Sequence, residues 1–219
     1  MRRFVGTTVL LLLTTQFIHA QVFPGFGIGP IPDDTGSCSI ADTGEPLDVT
    51  FNVTGVFPPL TVVEVDIGLI HTWMGDVAAT LIAPSGEQHL LFGATGATTD
   101  DSCGDSTDLA GVYNITDFTG GTDWWTVAAG LGAADFFPSG DYNSTESGGD
   151  GQVAPAPITS MFDAFNGVTT PNGTWILRVT DKGTLDTGTV TAANLFLQGG
   201  VDPDIIFMDG FETSPLFTR

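Results

Sequence analysis

Basic residues are scarce in this chain, which has five Lys and Arg against 26 Asp and Glu in 219 residues. Arg2 and Arg3 lie in an N-terminal segment with the features of an export signal. Without that segment the basic residues are Arg178, Lys182 and Arg219, and the formal charge is about −23. Phosphate groups and anionic membranes are bound through Lys and Arg, so the composition excludes nucleic acid as a partner. The excess of acid is typical of a solvated exported surface or of a protein that binds divalent cations.

Long apolar runs are also missing. Residues 1–20 consist of a basic start, a short apolar stretch and a small final residue, Ala20, which is the pattern of a secretory signal. The apolar stretch is too short to span a bilayer comfortably, and no later run approaches the ~20 residues that a spanning helix needs. We predict cleavage after Ala20, a mature chain of about 199 residues that starts at Gln21, no membrane span, and a periplasmic or extracellular location.

Residues of catalytic type are few. The chain has three histidines, and only His71 and His89 remain after cleavage of the signal. A serine hydrolase needs a nucleophile, a base within reach and an orienting carboxylate. No GxSxG motif is present, and Ser85 and Ser147 lie in turn-like surroundings. There is also no His/Cys zinc cluster, P-loop or dinucleotide-binding motif. The sequence therefore predicts no catalytic residue and a protein that is not an enzyme.

Two cysteines, Cys38 and Cys103, are present. In an exported protein such a pair is more often a disulfide than a metal site, and neither cysteine belongs to a CxxC motif. We predict a Cys38–Cys103 bridge, which would contribute on the order of 4 kcal/mol through loop closure.

Alternating apolar residues are abundant and indicate strands. In "TVVEVDIGLIHTW" every second residue from Val63 to Leu69 is apolar, the period of a half-buried strand, and His71 continues that face. Seven or so such segments, separated by turns rich in Gly and Pro, predict a β-sandwich over residues 45–199. Residues 21–44 are predicted to be an irregular lead-in, and residues 200–219 an acidic tail that contains a DGFE motif.

Calcium is the ion that this sequence favours, because it binds carboxylates and carbonyls in loops. The densest acidic segment is "TTDDSCGDSTD", and further acids occur in the turns around "MGD" and "TDKGTLD". Each of these residues also suits an ordinary turn. The predicted calcium ligands are Asp76, Asp101, Asp105, Asp108, Asp181 and Asp186.

Adjacent tryptophans in "DWWTV" are the strongest sequence candidate for a partner surface. On a strand, Trp124 and Trp125 would point to opposite faces, so the pattern predicts one core residue and one exposed residue.

Two blocks of sequence resemble the P domain (P/Homo B domain) of kexin- and furin-like proprotein convertases. The first is "HTWMGDVAATLIAPSG" and the second is "PNGTWILRVTDKGTLDTGTV". The matching residues are His71, Thr72, Gly75, Asp76, Leu81, Pro84, Ser85 and Gly86 in the first block, and Asn172, Gly173, Trp175, Leu177, Val179, Asp181, Asp186 and Gly188 in the second.

The resemblance implies an all-β, galactose-binding-like jelly-roll sandwich. It also implies a non-catalytic module that binds or stabilises a partner, such as a subtilisin-like serine endopeptidase, because only about 24 residues separate the signal from the first predicted strand. Two alternatives stay open at this point. One is a surface adhesion or carbohydrate-binding sandwich, and the other is a truncated relative of a P-domain-containing protease.

Overall fold

The computed structural model describes residues 20–36, 44–117 and 120–201. This part of the chain contains twelve strands and two short helices, α1 (Trp124–Ala128) and α2 (Met161–Phe165), with a single 3-10 turn at Met74–Asp76. The strands are Gln21–Phe26 (β1), Gly29–Ile31 (β2), Leu47–Val53 (β3), Phe57–His71 (β4), Val77–Ile82 (β5), Gln88–Gly93 (β6), Asp108–Ile115 (β7), Thr122–Asp123 (β8), Phe136–Phe137 (β9), Gly140–Asn143 (β10), Gly173–Asp181 (β11) and Gly188–Gly200 (β12).

The strands form two sheets that are joined by β1. One sheet has the order β6-β5-β11-β3, and the other has the order β12-β4-β7-β10-β8, with β2 beside β12 and β9 beside β7. The first four residues of β1 pair with β12 and its last two residues pair with β3. The apolar faces of the two sheets form one buried cluster. These observations confirm the predicted all-β sandwich.

Alternation along the main strands places the core residues where the sequence predicts them. In β11, Trp175, Leu177 and Val179 are fully buried, whereas Arg178 on the other face is exposed and donates two hydrogen bonds to Asp48. In β4, Val63, Val65, Ile67 and Leu69 are buried in the same way. The "PSGE" turn forms a hairpin, because β5 pairs antiparallel with β6 across it.

The prediction of an irregular lead-in over residues 21–44 is wrong for its described part. β1 and β2 lie in this segment and pair with β12 and β3. Gly25 permits the passage between sheets, because a Cβ at this position would lie 2.7 Å from Val49 Cγ1 and 3.0 Å from Ala193 Cβ. The sandwich therefore begins at residue 21 rather than at residue 45. These two strands contain Pro and Gly and are short, so the sequence does not identify them as strands.

The prediction for the tryptophan pair is also wrong. Trp124 and Trp125 begin α1 instead of lying on a strand, and their exposures are 0% and 3%. The Asp123 carboxylate caps this helix by accepting from the backbone N–H groups of Trp125 and Thr126. The Trp124 ring stacks on Phe92 with centroids 4.3 Å apart. Both indoles therefore belong to the core and cannot be an exposed partner surface.

The chain ends lie outside the described residues. This applies to most of the predicted signal, to Cys38 and to nearly all of the predicted tail. Signal cleavage, the Cys38–Cys103 bridge and the DGFE motif therefore stay predictions. Among the residues that the structure does describe, no helix has the length and apolar character needed to cross a membrane.

Candidate functional site

The two signature blocks meet at one end of the sandwich. His71 is the last residue of β4 and pairs with Gly188 at the start of β12. Asp181 is the last residue of β11 and pairs with Val77 at the start of β5. The 3-10 turn that carries Asp76 lies between β4 and β5. We call the region formed by His71, Asp76, Asp181, Lys182 and Gly183 the motif corner.

A buried hydrogen-bonded pair lies at the centre of the motif corner. His71 Nε2 is 2.8 Å from Asp181 Oδ2, and both side chains are completely buried. His71 Nδ1 accepts a hydrogen bond from the backbone N–H of Trp73, at 3.1 Å. This bond leaves the ring proton on Nε2, which donates to Asp181. Asp181 Oδ1 accepts from the backbone N–H of Gly183, at 3.0 Å, so the carboxylate is bound on both sides.

Asp76 and Lys182 are two further buried charged groups. Burial raises the pKa of Asp76 to about 6, and the neighbouring Asp181 carboxylate adds to the increase. Burial also lowers the pKa of Lys182. In the described structure, neither Asp76 Oδ1 nor Lys182 Nζ has a hydrogen-bond partner. Gly183 packs against the Asp76 carboxylate so closely that a Cβ would overlap it. The sequence placed Lys182 in an ordinary turn and gave no signal that it is buried.

The remaining motif residues fasten neighbouring loops to the corner. Thr72 Oγ1 donates to Asp186 Oδ1, at 2.9 Å, and accepts from the backbone N–H of Thr187. The backbone N–H of Gly75 donates to the Asp105 carbonyl, and the Trp73 indole N–H donates to the Cys103 carbonyl. A Cβ at Gly75 would overlap the Cys103 carbonyl, so this position of the motif has no room for a side chain. The corner joins the ends of β4, β5, β11 and β12 to residues 98–108, which we call the acidic loop.

The six predicted calcium ligands are dispersed. Asp76 and Asp181 lie together in the motif corner, but Asp186 is bonded to Thr72 and Asp105 Oδ1 accepts from the backbone N–H of Thr107. Asp108 begins β7, and Asp101 is exposed. Over the described ranges, no three His, Cys, Asp or Glu residues are grouped as a metal site would require. The buried Lys182 also supplies a cationic group beside Asp76. The corner alone does not fit a calcium ion, and calcium stays a prediction from composition.

The second histidine lies beside a serine. His89 Nε2 is 2.9 Å from Ser144 Oγ and 3.2 Å from Thr159 Oγ1. Ser144 is fully buried, and its hydroxyl donates to the Thr159 carbonyl. Burial lowers the pKa of His89, and Asp117 opposes this decrease.

The His89 cluster lacks two features of a catalytic triad. No carboxylate of the described residues hydrogen-bonds to the imidazole, because Asp117 is occupied by Ser160 and by the backbone of Met161 and Phe162. The Ser144 hydroxyl is not exposed to a substrate. A triad requires both an orienting carboxylate and an accessible nucleophile. The arrangement is that of a polar network which connects β6 to the loops beside it.

Comparison with known proteins confirms the predicted resemblance. The family model of the proprotein convertase P-domain matches residues 60–119, a range that contains the first signature block, most of β4, and β5, β6 and β7. No curated protein sequence matches the chain. Among solved structures, the complex of an Aeromonas sobria serine protease with the chaperone ORF2 is similar, with 15% identity and a TM-score of 0.42. That similarity covers 84% of this chain and 26% of the other, so this chain spans about a quarter of its length.

Proposed function

We propose that this protein is an exported, non-catalytic P-domain module that binds and stabilises a subtilisin-like serine endopeptidase. The observation that carries the proposal is the P-domain match over residues 60–119, together with the state of the motif residues. His71 and Asp181 are completely buried and satisfy one another, so they support the sandwich instead of facing a substrate.

The outer face of the larger sheet is the surface that suits such a partner. Ile70 in β4 and Val112 in β7 are 50% and 52% exposed. Their paired neighbours on this face have short side chains, since Ile70 pairs with Ala110 and Thr189 and Gly68 pairs with both Val112 and Ala192. Small side chains around exposed apolar residues make a flat surface of the kind used for protein contacts.

The test measures both binding and stabilisation. The purified protein is immobilised and incubated with the secretome of its native host, and serine endopeptidase activity is assayed in the eluate. We expect the retained activity to come from a subtilisin-like protease whose half-life at elevated temperature increases when the module is added. The double substitution of Ile70→Asn and Val112→Asn should reduce retention, while Ile158→Asn, at a residue 54% exposed elsewhere, should not.

One result would overturn the proposal directly. If the purified protein itself cleaves casein, and a serine-directed inhibitor abolishes that cleavage, the module is an enzyme. An eluate without serine endopeptidase activity would equally contradict a protease partner.

A further inference from the structure

A cavity lies between the acidic loop and α1. It has a volume of about 430 Å³ and is lined by residues of the loop around Thr95–Asp105, of α1 and of the segment at Ala154 and Pro155. This volume falls within the range of ligand-binding pockets, which is about 300–1,000 Å³. Much of the wall is small and apolar, including Ala128 and Ala154, so the cavity can receive an aliphatic chain.

Trp125 forms part of the wall and has an unsatisfied donor. Its side chain is 3% exposed, yet no group in the described part of the chain accepts from its indole N–H. The neighbouring Trp124 shows the usual situation, because its N–H donates to Thr95 Oγ1 at 2.9 Å. A buried donor without an acceptor is unfavourable. Trp125 is one of the residues that line the cavity, so a ligand bound there lies beside this unsatisfied donor.

Asp105 lines the same cavity, and its backbone is held firmly. Its N–H donates to the Thr95 carbonyl at 2.7 Å, and its carbonyl accepts from Gly75 at 2.9 Å. Its Oδ1 accepts from Thr107. Asp100, on the same loop, binds the backbone N–H of Asp150. The acidic loop and the overall charge of −21 therefore favour a cationic group over an anionic one at this cavity.

We propose that this cavity binds an arginine side chain from an extended segment of a partner protein. The aliphatic stem lies along the alanine and proline wall, the guanidinium pairs with Asp105, and a main-chain carbonyl of the segment accepts from the Trp125 indole N–H. The proposal rests on the proposed function for the source of the segment. It deepens that function, because it states which residue type of the protease, or of its precursor, is recognised.

The binding test uses isothermal titration calorimetry of the purified protein with a blocked pentapeptide, acetyl-Gly-Gly-Arg-Gly-Gly-amide. The control peptide replaces arginine by citrulline, which has nearly the same shape without the charge. We expect saturable binding of the arginine peptide, weakened by added NaCl, and no measurable binding of the citrulline peptide.

Three variants assign the contacts. Asp105→Asn keeps an oxygen for the Thr107 N–H but removes the charge, and it should weaken binding about tenfold. Trp125→Phe keeps a ring but removes the N–H, and it should weaken binding about fivefold. Asp163→Asn removes the same charge at an exposed position in α2 and should leave affinity unchanged.

The outcomes separate the two proposals. Equal binding of both peptides, absence of saturable binding up to millimolar peptide, or an unchanged affinity in both cavity variants would overturn the arginine site. Binding of the arginine peptide without retention of a serine endopeptidase would leave the site standing and contradict the proposed function. If a serine endopeptidase is retained and neither Asp105→Asn nor Trp125→Phe reduces its retention, the proposed function stands and the arginine site is contradicted.

Discussion

Asp76 is a buried carboxyl whose protonation changes the stability of the fold. Its pKa is raised from 3.8 to about 6 by burial and by Asp181. The folded state therefore binds more protons than the unfolded state between these values, and stability falls as pH rises through them. The difference corresponds to roughly 3 kcal/mol. We expect the free energy of unfolding, measured with urea in EDTA, to show this loss between pH 4 and pH 6.5, and Asp76→Asn to flatten it.

Asp33 provides the control for this experiment. It is exposed in the lead-in, so Asp33→Asn removes an equal charge outside the buried corner. We expect this variant to keep the wild-type pH dependence. An Asp76→Asn profile that superimposes on the wild-type profile would show that Asp76 does not titrate as a buried group.

Gly183 is a position in the motif corner that tolerates no side chain. A Cβ would overlap the Asp76 carboxylate, which is itself buried and cannot move aside. We expect Gly183→Ala to destabilise the protein by about 1–3 kcal/mol in urea unfolding, as overpacking usually does. In an Asp76→Ala background the collision is removed, so the added cost of Gly183→Ala should be much smaller.

Gly167→Ala is the control substitution for these stability measurements, because a Cβ at residue 167 would have no atom within 4 Å. It should leave stability within about 0.5 kcal/mol of wild type. Equal costs of Gly183→Ala in the two backgrounds would locate the strain somewhere other than the Asp76 carboxylate.

At the scale of single residues, the sequence predicts which side His71 faces but not what it binds. Strand alternation places the ring on the packed side of β4, and the structure buries it completely. Its partner, Asp181, is 110 residues away, and no local pattern connects the two. The cavity is equally invisible, because it depends on Trp125 lying in a helix that the sequence suggested was a strand.

β1 is the element that holds the two sheets together. Phe23, one of the four residues that pair with β12, is 8% exposed and belongs to the core. Phe23→Ala removes this buried ring and should cost about 3 kcal/mol in the free energy of unfolding. The measurement is urea unfolding followed by fluorescence of the core tryptophans.

Val22 is the adjacent control on the opposite face of β1. It is 53% exposed, so Val22→Ala should change stability by less than about 0.5 kcal/mol. If Phe23→Ala is as mild as Val22→Ala, β1 is not needed to close the sandwich, and the lead-in behaves as the sequence suggested.

At the scale of elements, the success of prediction follows the length of each strand and its apolar alternation. The six-residue strand β1, which contains Pro24 and Gly25, is missed. β4, β5, β6, β11 and β12 have six or more residues and alternate clearly or form a hairpin, and the sequence predicts all of them. β2, β8 and β9 have two or three residues and are held only by pairing with longer strands. A strand of that length cannot show a period, so tertiary contacts decide its conformation.

At the scale of the whole molecule, repulsion between acids opposes compaction. A net charge of −21 destabilises the folded state through self-repulsion, and any salt that screens it should raise the melting temperature. This general effect must be separated from specific binding of calcium, which the acidic loops predict and the geometry of the motif corner does not supply.

A calcium titration at constant ionic strength makes that separation. A ligand that binds only the folded state raises its stability in proportion to the logarithm of its concentration. If a calcium site exists, the melting temperature in 1 mM CaCl2 should exceed that in EDTA by several degrees, and MgCl2 should have a smaller effect because it demands a stricter octahedral shell. Asp101→Asn and Asp108→Asn would then reduce the increase. Equal melting temperatures in calcium and EDTA would mean that screening alone stabilises this surface.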